Sequence, residues 1–318
     1  MKISICIPVY SPDLRFLVDL LSSIDAQSRP PDEVVIHEDR SDGNELQLSE
    51  LPRISPPVRL VRAAGHVGMV RAWNSAVRAS SGEMVIVVGQ DDLLLPSACE
   101  HHERVMEATK SPLSASRVAF IDAGGQAIPN NVKSVSPYRL IGVGGRREVV
   151  VPFQQLADLA LVYGNVTGEP CGTAFLRAAF EAVDGYDPSF QHSVDIEFAL
   201  RVAQKFGRVH LSSRVLSRRR LHSTNATHLH LKSGLTSADR RQLFDRYCEA
   251  VTSQRIRRRG VARLITHDAF DAFRRPSGRS LLSAVSQIRL ELVPALVRHI
   301  LEDMGAPPVG RRWLRSAR

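Results

Sequence analysis

No stretch of this 318-residue chain approaches the roughly 18 uninterrupted apolar residues of a membrane-spanning helix, although 43% of its residues are hydrophobic. A charged leader followed by an apolar run is also missing. The first residues enter a strand pattern at once, with Pro8 inside it, so the expectation is a cytoplasmic chain without a signal peptide. Cysteine is scarce. Cys6, Cys99, Cys171 and Cys248 are too scattered for metal-ligand or redox spacing and read as reduced thiols, mostly core filler. No internal repeat is visible. The turn after the first strand reads Pro8-Val-Tyr-Ser-Pro and lacks the Gly- and Lys/Arg-rich phosphate loop that a nucleotidyltransferase would carry there.

Acidic charge is scarce at one end only. Residues 255–318 hold fourteen Arg, no Lys and five acids (Asp268, Asp271, Glu291, Glu302, Asp303), which accounts for the whole net charge of +9. Residues 1–254 are formally neutral. A neutral body with a basic tail implies either an anionic partner for the tail or a solvated helical face. The tail has only Phe270, Phe273 and Trp313 among its arginines, too few aromatics for a single-strand nucleic-acid platform, so no nucleic acid is expected.

The stretch that orders the rest is Met-Val-Ile-Val-Val-Gly-Gln-Asp-Asp-Leu-Leu-Leu-Pro, residues 84–96. Residues 84–88 are apolar and β-branched, a buried strand. The strand ends at Gly89, Gln90, Asp91 and Asp92. Adjacent carboxylates at a buried strand end repel each other and lose hydration. A hard cation such as Mg²⁺ or Mn²⁺ would relieve both costs while keeping phosphate oxygens as co-ligands. The alternative is an acidic turn that caps the next helix.

Around this stretch, strands and helices alternate. Strands are expected at Ile3–Val9, 33–37, 58–61 and 84–88, with helices from residue 14 (Asp13 or Ser11 near its cap), at 67–79 and at 97–108. Such alternation means βαβ units and a parallel sheet. Its polar clusters (residues 8–13, 38–43 and 89–92) fall at the strands' carboxyl ends, where such sheets bind ligands. Further on, the pattern suggests a strand at 117–122, a flexible Gly/Arg stretch at 142–147, a helix at Phe153–Tyr163 and a strand at Thr173–Leu176. A short helix at 178–183, a helix at Val194–Phe206 and a short strand at 209–211 follow. Beyond about 235 the chain reads as helical. His101 and His102 read as surface residues of their helix.

In this order, four motifs resemble the family 2 glycosyltransferases of the GT-A fold. Ile-Ser-Ile-Cys-Ile-Pro-Val-Tyr-Ser resembles the family's first strand and Pro-x-Tyr-Asn turn, with Ser11 in place of Asn. Glu38-Asp39-Arg40-Ser41 is similar to the base-contacting Asp-Asp-x-Ser. Gly68-x-x-x-Ala-Trp73-Asn74, then Ala79-Ser-Ser-Gly82-Glu83 and the Gln-Asp-Asp stretch, resemble the helix, strand and metal motif, with Gly89 where the first acid of Asp-x-Asp is common. Gly185-Tyr-Asp-Pro-Ser-Phe, followed by Asp195-Ile-Glu197 and Leu200-Arg201, resembles the acceptor half. The resemblance covers roughly residues 1–225. It implies a Rossmann-like, mainly parallel α/β sheet flanked by helices, with a nucleotide-sugar half (1–110), an acceptor half (111–230) and a helical, Arg-rich extension (231–318). It implies a hexosyltransferase-type enzyme that moves a sugar from a UDP- or dTDP-sugar to a hydroxyl of a glycan or lipid-linked acceptor, with inversion, as in the making of cell-envelope polysaccharide.

The resemblance also distributes roles. Pro8, Tyr10, Glu38, Asp39, Asn74, Gln90, Asp91 and Arg220 become candidates for the nucleotide sugar. Asp91, Asp92 and His222 become candidates for Mn²⁺ or Mg²⁺, with Arg220 and His222 matching an Arg-x-His that approaches the diphosphate in relatives. Asp39 has an alternative as an Asx turn or helix cap, and Arg220 as part of a solvated basic loop. An acceptor hydroxyl needs a general base as it attacks. Asp195 holds the family's catalytic position at the start of a helix. Glu197, about 200° further around that helix, is unsuited to share the site, and Asp187-Pro188 reads as a turn.

Two other outcomes follow from the same residues. A chain with Gly89 in its metal motif could be a catalytically degenerate homologue. Alternatively, it could act as a basic surface-binding protein through its tail. There, Leu281, Val285, Ile288, Leu292, Leu296 and Ile300 form one helical stripe, interrupted by Pro294. Such a stripe must bury against the catalytic domain, a second subunit in a homo-oligomer, or an anionic membrane surface.

Overall fold

Every second residue of β1 (Ile3–Val9) is apolar on one face, and Cys6 is apolar on the other, which suits a strand buried on both sides. The computed structural model describes residues 1–39, 45–128, 148–222 and 235–274. β1 pairs in parallel with β2 (Glu33–Glu38) and with β4 (Met84–Val87). β3 (Val58–Arg62) extends β2 in parallel. Helices α1 (Leu14–Asp25), α2 (Met69–Ala79) and α3 (Ala98–Thr109) make the crossovers. Asp13 caps α1, accepting a hydrogen bond from the Arg15 N–H at 3.0 Å, one of the two cap residues expected. This half agrees with the sequence reading to within one or two residues at each boundary.

The second half continues the same sheet. β6 (Leu113–Ile121), β8 (Glu148–Pro152), β9 (Thr173–Leu176) and β10 (Arg208–Arg220) follow, with short β5 (Leu93–Leu94) and β7 (Ala127–Ile128). The strand order is β3-β2-β1-β4-β9-β6-β10-β5, with β7 on β6 and β8 on β10. β9 runs antiparallel to both β4 and β6, and β10 runs parallel to β6. β10 therefore ends at the same sheet edge as β1, β2 and β4. The expectation of a strand at 209–211 is corrected here, because β10 has 13 residues. Its second half is Ser- and Arg-rich, so apolar periodicity stops although ladder pairing to β6 continues through Arg220.

The two faces bury separate cores. Leu17, Leu20, Leu21 and Ile24 of α1 and Cys99 and Met106 of α3 pack on Ile3, Ile5 and Ile7. On the other face, Val70, Ala76 and Val77 of α2 meet Cys6, Val85 and Val87. They share that core with α4 (Phe153–Tyr163), α6 (Val194–Phe206) and Leu243 and Tyr247 of α7 (Leu235–Tyr247). A short helix, α5 (Arg177–Ala182), precedes α6. α8 (Gln254–Arg274) packs on α4 and α7. The first part of the basic extension is thus helical and buries apolar residues against the acceptor half. The 142–147 stretch and the 281–300 stripe lie outside the described residues.

His101 and His102 are not surface residues. They are 4% and 1% exposed, beside His210 at 1%. Ser114 Oγ bridges the His102 and His210 Nδ1 atoms at 2.9 and 3.0 Å. A helix pattern that put both rings outside missed that β10 and β8 cover α3's neighbourhood. Burial holds these imidazoles neutral: the pKa of His102 is pushed down to about 3 and that of His101 to about 4. The unfolded chain takes up these protons below about pH 6.5 and the folded chain does not, so this part of the stability is complete above 6.5 and is lost as pH falls toward 4. We expect the melting temperature of His102→Asn to lie below wild type at pH 7.5 and the gap to narrow by pH 5. Buried carboxylates that act in the opposite sense are present in both proteins and cancel in the comparison. A gap that is independent of pH would contradict the assignment.

Candidate active site

The site is built at the carboxyl edge of β1, β2, β4 and β10. β4 ends in Val88-Gly89, and the turn that follows presents Asp91 and Asp92. β5 then pairs antiparallel with Ser217 and Arg218. That pairing carries the Asp91–Asp92 turn onto the end of β10, where the Arg220 N–H donates to Asp92 Oδ1 at 3.1 Å. Two residues on, His222 Nε2 lies 2.7 Å from Asp91 Oδ2. Both side chains are about one-fifth exposed, 18% for His222 and 20% for Asp91. Asp92 is buried. Desolvation, and then the charge of Asp91, push its pKa up to about 8.

Gly89 is explained by these carboxylates. A Cβ there would stand 3.0 Å from Asp92 Oδ2 and 3.1 Å from Asp91 Oδ1. A third acid at this position would crowd the pair and add like charge beside them.

The residues fit a hard divalent cation as incomplete ligands. Asp91 and His222 offer one oxygen and one nitrogen 2.7 Å apart, with the buried Asp92 carboxyl behind them. Among the described residues, no group of three or more His, Cys, Asp or Glu is arranged to hold a metal ion. A cation here would need the rest of its ligands from water or a bound ligand.

The remaining donor-side candidates divide by what they touch. Tyr10 is exposed at the end of β1. Its N–H donates to Gln90 Oε1 at 2.8 Å, and Gln90 Nε2 returns a bond to Tyr10 O at 3.2 Å, so Gln90 ties the β1 and β4 turns together. Ser11, next along, has φ +43°, a region Asn tolerates better than most residues. Pro8 is half-buried in β1, opposite His37 of β2. Glu38 is buried, with Oε1 accepting from the Leu46 N–H at 2.8 Å and Oε2 paired to Arg62 at 2.9 Å. Asp39 accepts from the N–H groups of Val67 and Gly68 at 2.7 and 2.9 Å and lies 3.0 Å from His66 Nδ1, the cap-like arrangement weighed above. His66 then packs its ring 4.7 Å from that of Tyr10. The exposed pair beside Asp39 is an aromatic surface that spacing alone did not single out. Arg40 and Ser41 lie outside the described residues.

Asn74 and Arg220 are engaged inside the protein. Asn74 is buried, and its amide exchanges two hydrogen bonds, both 2.8 Å, with the backbone of Tyr186. Gly185 has φ +73°, and a Cβ there would lie 2.6 Å from Asn74 Oδ1, so the Gly-Tyr motif of the acceptor half and the Asn of α2 are one joint. Arg220 is 2% exposed. Its guanidinium donates to Asp91 O, Ala123 O and Asp19 and sits 4.4 Å over the Phe16 ring. The neighbouring Arg219 pairs with Glu169 at 2.6 Å, at 15% exposure, close enough to Asp92 and Asp195 to feel both charges.

Asp195 stands at the first turn of α6. Its Oδ2 accepts from Asn165 Nδ2 at 2.6 Å and its Oδ1 from the Ile196 N–H at 2.9 Å. Desolvation, and then the charge of Glu169, raise its pKa to about 7, the range of a working general base. Glu197 turns away and is fully buried against Arg201 and Arg246. Asp187 forms the expected turn, accepting from the Ser189 N–H at 2.9 Å. Glu169, Asn165, Arg219 and His66 were not selected from the sequence. Only Arg219 had a signal, as a member of the Arg218-Arg219-Arg220 run.

A mainly parallel sheet of this order, with its acids gathered at the carboxyl edge, is a GT-A-like fold. S. aureus TarS shares it with a TM-score of 0.57 at 17% identity, over 98% of this chain and 50% of TarS. Residues 1–349 of TarS in complex with UDP-GlcNAc give 0.58 at 16% identity, over 97% and 82%. The profile described as Glycosyl transferase family 2 matches residues 4–183, and the chain belongs to that family. The uncharacterized glycosyltransferase YwdF of Bacillus subtilis (strain 168) is 25% identical over 207 residues, covering 65% of this chain and 69% of YwdF. The uncharacterized protein y4gI of Sinorhizobium fredii is 33% identical over 108 residues. The chain spans 12% of y4gI and half of the longer TarS chain. Among the described residues, no helix is long and apolar enough to cross a membrane.

Asn74→Ala separates scaffold from ligand contact. It leaves a buried N–H and C=O of Tyr186 unpaired, at about 1–3 kcal/mol each. We expect a clear drop in melting temperature, with the affinity of the folded protein for a nucleotide sugar unchanged within about twofold. A large loss of that affinity at unchanged stability would return Asn74 to the donor site.

Proposed function

We propose that the protein transfers a sugar from a nucleoside diphosphate sugar, with a UDP- or dTDP-sugar favoured, to a hydroxyl of a glycan or lipid-linked acceptor, with inversion at the anomeric carbon. The observation that carries this reading is the pairing, in a family 2 chain, of the Asp91–His222 ligand pair with the Asp195 carboxylate, whose basicity is raised (pKa about 7).

In this reading the exposed Tyr10 and His66 rings receive the base, next to Asp39. Asp91 and His222 would hold Mn²⁺ or Mg²⁺, with Asp92 behind them, and the ion would supply Lewis-acid stabilisation of charge on the leaving diphosphate. Arg219 adds a fixed positive charge between the two carboxylate groups. Asp195, held by Asn165 and the Ile196 N–H, accepts the proton of the acceptor hydroxyl. The acceptor oxygen, losing its proton to Asp195, attacks in line from the face opposite the leaving diphosphate; the new C–O bond forms as the old one breaks, which inverts the configuration. The Asp195 carboxylate must be ionised to do this, so the rate should fall as pH drops through about 7.

Paired substitutions test both halves. Asp91→Asn should abolish transfer and weaken nucleotide binding only when Mn²⁺ or Mg²⁺ is present; equal affinity of both proteins with metal would overturn the ligand role. Asp195→Asn should lower kcat at least about a hundredfold with little change in donor affinity and remove the acid limb of the pH profile. Retained turnover would move the base elsewhere, and a product that keeps the donor's configuration would end the inverting mechanism.

The basic extension suits a lipid-linked acceptor, because each basic residue near an anionic surface contributes about 1 kcal/mol. We expect the full chain to co-sediment with anionic vesicles at low salt and to be released at high salt. A full chain that stays in the supernatant at low salt would leave the extension with packing or oligomer contacts alone.

A further inference from the structure

The helix that carries Asp195 is held in place by a residue far outside the family match. Asp239, on α7, is 3% exposed. Its Oδ2 accepts three consecutive backbone N–H groups, those of Gln191, His192 and Ser193, at 2.9, 2.5 and 2.8 Å. Three successive N–H groups converging on one oxygen make an anion-binding nest, and here the chain's own carboxylate fills it. Ser193 is the N-cap of α6 and makes no side-chain cap bond, so the segment that leads into α6 is fixed by a remote acid.

The same face of α7 reinforces this contact. Asp239, Gln242 and Arg246 are spaced three and four residues apart, so they share one side of the helix. Gln242 Nε2 donates to Ser189 Oγ at 2.8 Å. Arg246 Nη1 bridges Asp187 Oδ2 at 2.9 Å and Glu197 Oε1 at 2.6 Å. Tyr247 and Leu243 anchor α7 in the core below. Every one of these contacts grips residues 187–197, the turn and first turn of helix that present Asp195. From the other side, Asn165 holds the Asp195 carboxylate itself.

We infer that Asp239 is a positioning residue for Asp195, and that the basic extension is in this respect part of the active site. The inference rests on the reading of Asp195 as the general base. Ser193 is two residues from Asp195, so any relaxation of the nest displaces the base. A displacement of about 1 Å from productive geometry can cost on the order of a hundredfold in rate. The contacts given above for Asp239, Gln242 and Arg246 go to residues 187–197, whereas the donor-side candidates Asp91 and His222 follow β4 and β10, so nucleotide binding should be insensitive to substitution at Asp239.

The experiment is a double-mutant cycle in the full chain. The donor is whichever UDP- or dTDP-sugar of a panel gives the fastest metal-dependent hydrolysis without acceptor, and binding is read with UDP and Mn²⁺. Asp239→Ala should lower kcat at least tenfold with UDP affinity unchanged within twofold. Asp239→Asn keeps an acceptor oxygen for the nest and should recover part of the loss. In the Asp195→Asn background, Asp239→Ala should change kcat by no more than about twofold, because a residue acting through Asp195 has nothing left to position. Losses that multiply across the two sites, or a kcat for Asp239→Ala within twofold of wild type, would overturn the inference. A parallel fall of kcat and UDP affinity would also overturn it, since that marks general loss of folded protein. If Asp239→Ala does not fold, Asp239→Asn takes its place in the cycle, with at least a threefold loss expected and a loss within twofold overturning. Failure of the base assignment itself shows separately, as retained turnover in Asp195→Asn alone.

Discussion

Two adjacent carboxylates at the end of a buried strand lose hydration and repel each other, and much of the chain around Asp91 and Asp92 offsets that cost. The Arg220 N–H and the Asp91–His222 contact both come from the end of β10. That strand reaches the site only because β9 inserts antiparallel between β4 and β6, which sets β6 and β10 in the direction of β4. The absence of a side chain at Gly89 leaves the two acids room. Asp92 meets the rest of the cost by holding its proton up to about pH 8.

The second requirement is to hold the acceptor half at a fixed distance from this pocket. Asn74 does so from the donor side, through both backbone groups of Tyr186, and Gly185 makes the close approach possible. α7 does so from the far side, through Asp239, Gln242 and Arg246. Asp195 lies between these two attachments. Its carboxylate is half-buried and sits near Glu169, so it keeps its proton at a higher pH than a fully exposed aspartate would. The same burial that raises its basicity makes its position depend on neighbours more than a hundred residues away in sequence for Asn74 and about forty-five away for Asp239.

Much of this was legible in the chain itself. The alternation of apolar runs with helical spacing located β1, β2, β3, β4, α4, β9 and α6 closely, because those elements bury a continuous apolar face. The acids at strand ends stood out because carboxylates do not otherwise end buried strands. β10 was cut short because its second half is polar and is kept in the sheet by ladder bonds. His101 and His102 were placed outside because a histidine pair in an otherwise polar helix resembles a solvated face until β8 and β10 cover it.

The residues by themselves determined the order of strands and helices, the acids available at the carboxyl edge, and the placement of Asp195 at a helix start. Those follow from local periodicity and from the chemistry of each side chain. Only the tertiary structure decided which of the polar candidates are engaged inside the protein and which stay exposed at the sheet's carboxyl edge. It turned Arg220 inward onto Asp19 and Phe16 and left Arg219 beside the acids. It used Asn74 and Glu38 as internal joints, gave His66 to Tyr10 and Asp39, and brought Asp239 to the segment before Asp195. Each of those outcomes is a hydrogen bond or ring contact between residues distant in sequence, and such partners are set by strand pairing and helix packing, which local pattern does not encode.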